Sequence, residues 1–376
     1  MSEKSKVYFA DFRCFPMREN LPQRLARLIM TAGFGSIDMD NKYVAIKMHF
    51  GEPGNQAYLR PNWARVVADL VKNQGGKPFL TDCNTLYVGG RKNALDHIES
   101  AYQNGFNPYN TGCHILIADG LKGSDDVEVP VSGGEYVKTA KIGRAVMDAD
   151  VFVSLTHFKG HEQAGMGGTL KNIGMGCGSR RGKMEQHSGG KPVVKQKRCA
   201  GCRQCIKQCG QDAISYDGGK AFIDQEKCVG CGRCIAVCNF DAIFNPNDCA
   251  CEQLNRKMAE YAKAVVDGRP QFHISLVIDV SPYCDCHGEN DLPIVPDVGM
   301  FASFDPVALD QACADACGKQ SPIPGSHLDE QMHREGFCDK HDHFINSMPD
   351  TDWRVCLDHC EKIGIGTRSY ELVEVK

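Results

Sequence analysis

The sequence predicts an α/β fold: a mostly parallel sheet with helices on its faces, interrupted by a small, cysteine-rich α+β insertion. Short β-branched and aromatic runs alternate with amphipathic helical patterns on both sides of the chain's centre. Alternation of this kind builds a parallel sheet covered by helices. The centre breaks the pattern, because it holds two cysteine runs of identical spacing.

The predicted elements of residues 1–190 follow one another as strand and helix. Pro61 opens a helix, since its fixed φ suits the first helical turn, and Gly75 and Gly76 end it. A second helix is predicted at Lys92–Asn104. The predicted strands are short apolar runs bounded by turn residues; they are Lys6–Phe12, Tyr43–His49, Lys77–Asp82, Ile115–Ala118 and Val151–Thr156.

The strand and helix pattern resumes in residues 249–376, with Asp305 and Pro306 as N-cap and first residue of one helix. The simplest arrangement is one α/β domain, residues 1–190 and 249–376, interrupted by an insertion at 191–248. Three successive domains are the alternative, and the polar segment SRRGKMEQHSGGKP before the insertion is predicted to be a linker. The predicted elements are helices Glu252–Val266, Phe304–Ala316 and Asp352–Lys362, and strands Ser275–Val280 and Ser369–Val375.

The two cysteine runs have the spacing C-x2-C-x2-C-x3-C, and the residues around them repeat as well, so the insertion is a duplicated unit. This spacing is that of bacterial two-cluster ferredoxins, in which the fourth cysteine of each run binds the other run's [4Fe–4S] cluster. Paired zinc sites are the alternative, although zinc ribbons use a longer spacer between two C-x2-C pairs. One cluster would be bound by Cys199, Cys202, Cys205 and Cys238, and the other by Cys228, Cys231, Cys234 and Cys209.

Composition narrows the functional classes. The net charge of −4 and pI near 6.4 offer no electrostatic basis for binding nucleic acid or an anionic membrane. No apolar run reaches the roughly 20 residues of a membrane span, and the first residues lack the apolar core of a signal peptide. We therefore expect a cytoplasmic protein. Its 21 cysteines would be reduced thiols or metal ligands, as in an anaerobic host. The oligomeric state is not predicted.

The segment Thr156–Lys183 combines many glycines with basic side chains and follows an apolar strand. Open α/β sheets bind ligands at the carboxyl ends of strands. Glycine allows close approach of the backbone to a ligand, and basic groups favour an anion. A mobile surface loop is the alternative. The predicted catalytic residues are His157, His161 and Lys171, and the predicted cofactor contacts are Lys159, Gly165, Gly167, Gly168 and Asn172, together with His49 from the earlier strand.

Cys284, Cys286 and His287 form a second candidate site, again just after an apolar strand. Thiolate and imidazole groups bind zinc or iron, and extended backbone would place the two cysteines on one side. Two buried thiols that act as small hydrophobic groups are the equal alternative. If the three strand ends lie side by side, His49, the histidines of the glycine-rich segment, Lys171 and these cysteines converge on one crevice.

The H-x-K-x-H segment with LKNIGMG, the CDCH segment and PDVGMFASFDPVALDQA resemble the iron–sulfur-centre proteins grouped as domain of unknown function 362. That resemblance implies a cytosolic iron–sulfur protein and brings no agreed reaction. The segment HEQAGMGGTLK is similar to one in the nickel-pincer lactate racemase family, which holds a nickel-carrying nicotinic acid derivative. On that resemblance His161 and Lys171 would contact the cofactor.

The leading hypothesis is an oxidoreductase. Two [4Fe–4S] clusters would relay electrons to a second cofactor, a flavin or a further metal ion, or to a small-molecule substrate in the α/β domain. His157 or His161 would donate a proton, and Lys171 would stabilise negative charge. The alternative is a non-catalytic electron carrier or accessory protein that docks a redox partner protein. A third hypothesis is isomerase or racemase chemistry on a hydroxy acid.

Overall fold

The computed structural model describes residues 4–86, 89–187, 191–228, 233–240, 242–244 and 251–376. Their strands are, in chain order, β1 (Ser5–Ala10), β2 (Tyr43–Lys47), β3 (Lys77–Asp82), β4 (His114–Ile117), β5 (Asp126–Pro130), β6 (Thr139–Gly143), β7 (Val151–His157), β8 (Lys159–His161), β9 (Gly165–Gly167), β10 (Val193–Val194), β11 (Ile214–Asp217), β12 (Lys220–Ile223), β13 (Ile243–Phe244), β14 (Gln271–Val277), β15 (Gly299–Ser303) and β16 (Tyr370–Glu374).

The α-helices of the same residues are α1 (Leu21–Thr31), α2 (Pro61–Asn73), α3 (Ala94–Gln103), α4 (Pro108–Thr111), α5 (Arg144–Asp148), α6 (Thr169–Cys177), α7 (Arg180–His187), α8 (Gln204–Lys207), α9 (Arg233–Ala236), α10 (Cys251–Val266), α11 (Pro306–Gly318), α12 (His327–Met332), α13 (His343–Ser347) and α14 (Arg354–Lys362). Asp305 caps α11 by accepting from the backbone N–H groups of Val307 and Ala308, as predicted. Among the described residues, no helix is both long and apolar enough to cross a membrane.

One eight-stranded sheet organises the fold, in the order β16-β1-β15-β14-β7-β2-β3-β4. The strands β14, β7, β2, β3 and β4 run parallel, β16 is parallel to β1, and β15 is antiparallel to both of its neighbours. The predicted mostly parallel α/β fold is confirmed. The sheet takes strands from both sides of the insertion, which is the arrangement expected of a single interrupted domain. The exact domain bounds stay predictions.

Alternation along the strands sends side chains to two separate cores. On β2, Val44 and Ile46 pack against α1 and α2, whereas Ala45 packs on the opposite face with α6 and α10. Lys47 is two residues after Ala45, and it shares that face. Its ammonium therefore meets α6, where it donates to the Asn172 side chain at 2.8 Å. A charged group thus enters the interior at the end of a buried strand.

The insertion is small and visibly duplicated. Its two short helices, α8 and α9, occupy equivalent positions of the two cysteine runs. Strand β11 pairs with β12, and β10 pairs with β13, each pair antiparallel. The described part of residues 191–248 thus has the mixed α+β character that was predicted.

Two local predictions are wrong. Residues 180–187 of the predicted linker form helix α7, in which Arg180 and Lys183 are buried. Part of the glycine-rich segment is also regular: β8 and β9 pair as a hairpin, and α6 follows directly. The reason is packing, because α6 lies against α10 and α7 lies against α9. Propensity alone does not reveal such contacts.

Candidate functional site

A cavity of about 510 Å³ lies at the carboxyl ends of β7, β2 and β3. Parallel neighbours end at the same edge of a sheet, which is where open α/β sheets bind their ligands. Sites for small molecules typically occupy about 300–1,000 Å³, so this cavity, called the crevice below, has a suitable size. The predicted site residues that line it are His49, His157, Lys159, His161, Gly168, Lys171, Asn172 and Cys286.

The glycines of the segment allow close packing between chain segments. A Cβ at Gly160 would overlap the carbonyl oxygen of Pro282. Gly165 has φ +85°, and a Cβ there would lie 3.0 Å from the hydroxyl oxygen of Thr351. Gly165 and Gly167, two of the predicted cofactor contacts, lie outside the wall of the crevice. The fold around the hairpin requires glycine at Gly165, whereas a Cβ at Gly167 would make only ordinary contacts at 3.6 Å.

A buried carboxylate fixes the start of α6. Asp310 accepts from the backbone N–H groups of Thr169 at 2.6 Å and Leu170 at 2.9 Å. A Cβ at Gly168 would lie 2.5 Å from an Asp310 carboxylate oxygen, so only glycine fits there. Burial raises the pKa of Asp310 to about 6. This contact sets the position of α6, which carries Lys171 into the crevice.

His157 belongs to a buried ionic network. Its Nδ1 lies 2.9 and 3.0 Å from the two carboxylate oxygens of Asp285, and its Nε2 lies 2.8 Å from the carbonyl oxygen of Ile278. The Lys159 ammonium is 3.1 Å from the same carboxylate. Burial alone would raise the pKa of Asp285, but His157 and Lys159 outweigh burial and lower it. Both ring nitrogens of His157 are thus occupied by protein acceptors.

Lys171 forms an ion pair with a cysteine. Its ammonium donates to the Cys284 sulfur at 2.8 Å, and the backbone N–H of Cys286 donates to that sulfur at 3.4 Å. Burial alone would raise the pKa of Cys284, but the Cys286 thiol, Lys171 and His161 outweigh it and hold this pKa well below its ordinary value. A buried hydrogen bond thus joins Cys284 to Lys171, which itself lines the crevice.

His161 is oriented by the hairpin that carries it. Its Nδ1 accepts from the backbone N–H groups of Gln163 at 3.0 Å and Ala164 at 3.1 Å. A neutral imidazole that accepts at Nδ1 carries its proton on Nε2. Its Nε2 lies 3.9 Å from a carboxylate oxygen of Glu162, beyond hydrogen-bond distance. His161 lines the crevice.

Cys284 and Cys286 are brought together by a turn, so the predicted extended backbone is wrong. The backbone N–H of His287 donates to the carbonyl oxygen of Cys284 at 3.1 Å, which closes the turn. The His287 imidazole Nε2 lies 3.0 Å from a carboxylate oxygen of Glu162. Ligand atoms of Glu162, Cys286 and His287 all lie within 4.8 Å of one another.

The opposite wall of the crevice holds a second set of buried charges. Arg91 donates to the Glu52 carboxylate at 2.7 Å, and a second nitrogen of its guanidinium lies 2.8 Å from His49 Nε2. Burial and the nearby Arg91 charge lower the pKa of His49 well below its ordinary value. The Lys47 ammonium lies 3.0 Å from the Asp82 carboxylate. These pairs hold the ends of β2 and β3 together.

The insertion brings four predicted ligands around one small cavity. Cys199, Cys202 and Cys205 of the first run line it with Cys238 of the second, the grouping expected when the fourth cysteine crosses over. Backbone N–H groups approach two of these sulfurs, from Ala221 to Cys199 at 3.4 Å and from Ala242 to Cys238 at 3.3 Å. Four thiols around one cavity and N–H donors to sulfur are the donor set of an iron–sulfur cluster.

The second predicted cluster site is described only in part, because one of its four predicted ligands, Cys231, lies outside the described residues. Cys234 is buried, and Cys209 and Cys228 are partly exposed. The Ala213 backbone N–H approaches the Cys209 sulfur at 3.3 Å, and the Ala242 N–H approaches Cys238 in the same way one repeat later. The duplication thus extends to the hydrogen bonds around the sulfurs.

The insertion forms part of the crevice wall. Ile235, Ile243 and Phe244 line the crevice together with residues of the α/β domain. Ile243 also lines the cavity of the four cysteines, so a single side chain borders both spaces. The Lys92 ammonium donates to the Cys238 carbonyl oxygen at 2.7 Å, and the Arg180 guanidinium donates to that of Ile235 at 3.2 Å.

The family described as Domain of unknown function (DUF362) matches residues 44–315. The chain belongs to this family. A thylakoid-associated protein of Synechocystis sp. is 29% identical over 131 residues, which are 33% of this chain and 35% of that protein. The chain thus matches only about a third of the length of this curated relative.

Two solved structures are similar at low identity. The lactate racemase apoprotein of Thermoanaerobacterium thermosaccharolyticum is 12% identical, with a TM-score of 0.33 over 73% of this chain and 51% of that one. A protein of Thermotoga maritima is 10% identical, with a TM-score of 0.39 over 84% of this chain and 59% of that one. Scores this low carry no argument about function, so the racemase resemblance stays a prediction.

Several charged residues of the site were not among the predicted site residues. Asp285 is the buried partner of Lys159, and Arg91 is the buried partner of His49. Asp82 is the buried partner of Lys47. Glu162 completes the group around Cys286 and His287. The available signal for Asp82 was its position as the last residue of a predicted strand, where a polar residue faces the crevice edge. Glu162 follows β8, a strand that was not predicted. Arg91 lies far from any strand end and had no such signal.

Proposed function

We propose that the protein is an iron–sulfur oxidoreductase, in which two [4Fe–4S] clusters relay electrons between an external donor and a cofactor or substrate in the crevice. The observation that carries this proposal is Ile243, which borders both the cavity of Cys199, Cys202, Cys205 and Cys238 and the crevice. A carrier that only docked a partner would not need a ligand-sized space one side chain from its cluster.

The eight cysteines of the two runs would hold the clusters. When bound, each cluster supplies one-electron transfer at a potential set by its surroundings. The chain's contribution is to surround the first site with buried apolar groups, among them Ala221, Ala242 and Ile243, and to direct backbone N–H groups at the sulfurs. Both features tune the potential of such clusters.

The crevice favours an anionic ligand. Lys47, Lys159, Lys171 and Arg91 line it, each beside a buried acid or the Cys284 sulfur. Lys183 lines it as well, and its hydrogen bonds among the described residues go to backbone carbonyl oxygens. Fixed cations in a space shielded from water stabilise negative charge strongly. A flavin or an anionic organic molecule is therefore the class of compound we propose for this space.

Three residues have distinct proposed roles. Lys171 would stabilise the negative charge that develops on the ligand during reduction. His161 would donate a hydrogen bond from Nε2 to the reduced ligand, because its Nδ1 accepts two backbone N–H groups and its proton is then on Nε2. His157, with both nitrogens engaged, would position Asp285 and Lys159.

The test is extraction of small molecules and metals from full-length protein purified without oxygen. We expect iron and sulfide together with a flavin or another redox-active anion, and we expect Lys171→Ala to lose the organic compound and keep the iron. Iron and sulfide with no further compound, and electron transfer to a protein acceptor that His161→Ala and Lys171→Ala leave unchanged, would favour the carrier that docks a redox partner.

A further inference from the structure

The turn after β14 and the loop between β8 and β9 bring together three different donor groups: the Glu162 carboxylate, the Cys286 thiol and the His287 imidazole. Their ligand atoms all lie within 4.8 Å of one another, and His287 Nε2 and Glu162 Oε1 are 3.0 Å apart. Ligand atoms around one tetrahedral zinc ion lie about 3.3–3.8 Å apart, given bonds of about 2.0–2.3 Å. Small movements of side chains would close the group around one ion.

The backbone that carries these donors is held in place. The Glu52 N–H donates to the carbonyl oxygen of Asp285 at 3.0 Å, and the Asn55 side chain donates to that of His287 at 3.0 Å. The Cys284 N–H lies 3.4 Å from a carboxylate oxygen of Glu162, which ties the turn to the hairpin loop. The donors are therefore positioned before any ion arrives, which is what a specific metal site requires.

The ligand types select the ion. One oxygen, one sulfur and one nitrogen donor suit a borderline divalent transition metal such as zinc or ferrous iron. Calcium and magnesium prefer oxygen ligands throughout, so they fit poorly. All three residues also line the crevice. Three protein ligands and a side that faces a cavity are typical of catalytic metal sites, in which the remaining position binds water or substrate.

We propose that Glu162, Cys286 and His287 bind one divalent zinc or ferrous ion, whose open position faces the crevice. This site is distinct from the eight cysteines of the insertion and does not depend on the clusters. Cys284, predicted from the sequence as a ligand with Cys286, would act behind the ion. Its sulfur accepts from Lys171 and from the Cys286 backbone, and so it would orient Cys286 as a neighbouring group.

Zinc(II) is the probe, added to full-length protein purified without oxygen and measured by competition with a chromophoric chelator. We expect a single site that Cys286→Ser, Glu162→Gln and His287→Asn each weaken at least about 100-fold, since even groups behind a ligand are worth about 10–100-fold. Cys338→Ser and His341→Asn are the matched controls, because both residues are exposed and lie outside the crevice. The two control variants should bind zinc with the affinity of the unaltered protein.

X-ray absorption at the zinc edge separates this site from zinc misplaced in the insertion. We expect about one sulfur and two lighter ligands from protein, whereas zinc in a cysteine run would show up to about four sulfurs. Zinc whose binding ignores the three crevice variants, or an all-sulfur site, would overturn the proposal. Protein that lacks iron and sulfide but still binds zinc at this site would contradict the cluster proposal and leave the zinc proposal intact. Fluorescence of Trp63 and Trp353 would verify that each variant is folded.

Discussion

The insertion and the crevice beside it hold their reactive side chains by different means. The insertion has a small core, in which Cys205, Cys234 and Cys238 are themselves buried members. The crevice is built on a large sheet with a core on each face, and ion pairs fix its charged groups. A region with a small core depends on bound metal for its structure, whereas a region on a large core is formed in advance.

The largest expected effect is on the insertion. Removal of iron, or the variant Cys205→Ser, should unfold residues 191–244 while the sheet stays folded, because metal ligation replaces the missing apolar core. Hydrogen exchange followed by mass spectrometry measures this difference. We expect rapid exchange in β11 and β12 and unchanged protection in β7 and β14. Cys338→Ser, at an exposed cysteine, is the control. An insertion that stays protected without iron would remove the contrast between the two regions.

The second effect concerns the ionic network of the crevice. Asp285→Asn leaves the buried Lys159 without its carboxylate, and loss of one partner of a buried pair costs about 3–5 kcal/mol. Denaturation followed by tryptophan fluorescence reports on the α/β domain alone, since both tryptophans, Trp63 and Trp353, are buried there. The exposed Asp291 provides the control, with Asp291→Asn expected within about 0.5 kcal/mol of the unaltered protein. A similar small loss for Asp285→Asn would show that the network is solvated.

The third effect depends on pH. Burial raises the pKa of Asp310 from 3.8 to about 6, so its ionised form is disfavoured in the folded protein. The neutral form of Asp310 therefore stabilises the folded protein, and this contribution to the free energy of unfolding is at its maximum below pH 4. It falls by about 3 kcal/mol as the pH rises from 4 to 6. The unaltered protein should therefore lose about that much stability relative to Asp310→Asn between pH 4 and 7. A difference between the two proteins that does not change with pH would contradict a raised pKa.

The smallest effect compares two glycines of the α/β domain. A Cβ at Gly174 would overlap the Met258 carbonyl oxygen, where α6 packs against α10. Gly174→Ala should lower the free energy of unfolding by about 1–3 kcal/mol and should weaken ligand binding in the crevice, since α6 carries Lys171. At Gly318 a Cβ meets nothing within 4 Å, so Gly318→Ala should change stability by less than about 0.5 kcal/mol. Equal effects would show that α6 tolerates displacement.

The two regions also differ in how far the sequence predicts them. The cysteine runs are local, so their spacing alone suggests which residues share a cluster. The crevice combines Lys47, Arg91, Lys171 and Asp285, which are far apart in the chain. The strands β2 and β7, which bring His49 and His157 to the crevice, were predicted to within two residues of their ends, because polar residues at the ends of buried strands give a local signal. Their partners depend on the order of strands in the sheet, which no short segment determines.

Helices α6 and α7 illustrate the same limit. Their sequences are rich in glycine and charge, and this composition favours loops when no tertiary contact is known. Helix α6 forms because it packs on α10 and Asp310 caps its first turn. Helix α7 forms where it packs on α9. The turn of Cys284–His287 is likewise set by contacts with Glu52 and Asn55, so the extended backbone expected for CDCH was wrong.

Two iron–sulfur clusters in the insertion, the first of which borders the crevice, are the core of the proposed function. Iron and acid-labile sulfide content of protein purified without oxygen, combined with electron paramagnetic resonance after reduction, tests it most directly. We expect about eight irons and eight sulfides per chain, and signals of two reduced cubes that interact with each other. Protein without sulfide, with zinc at the cysteines of the two runs, would contradict it.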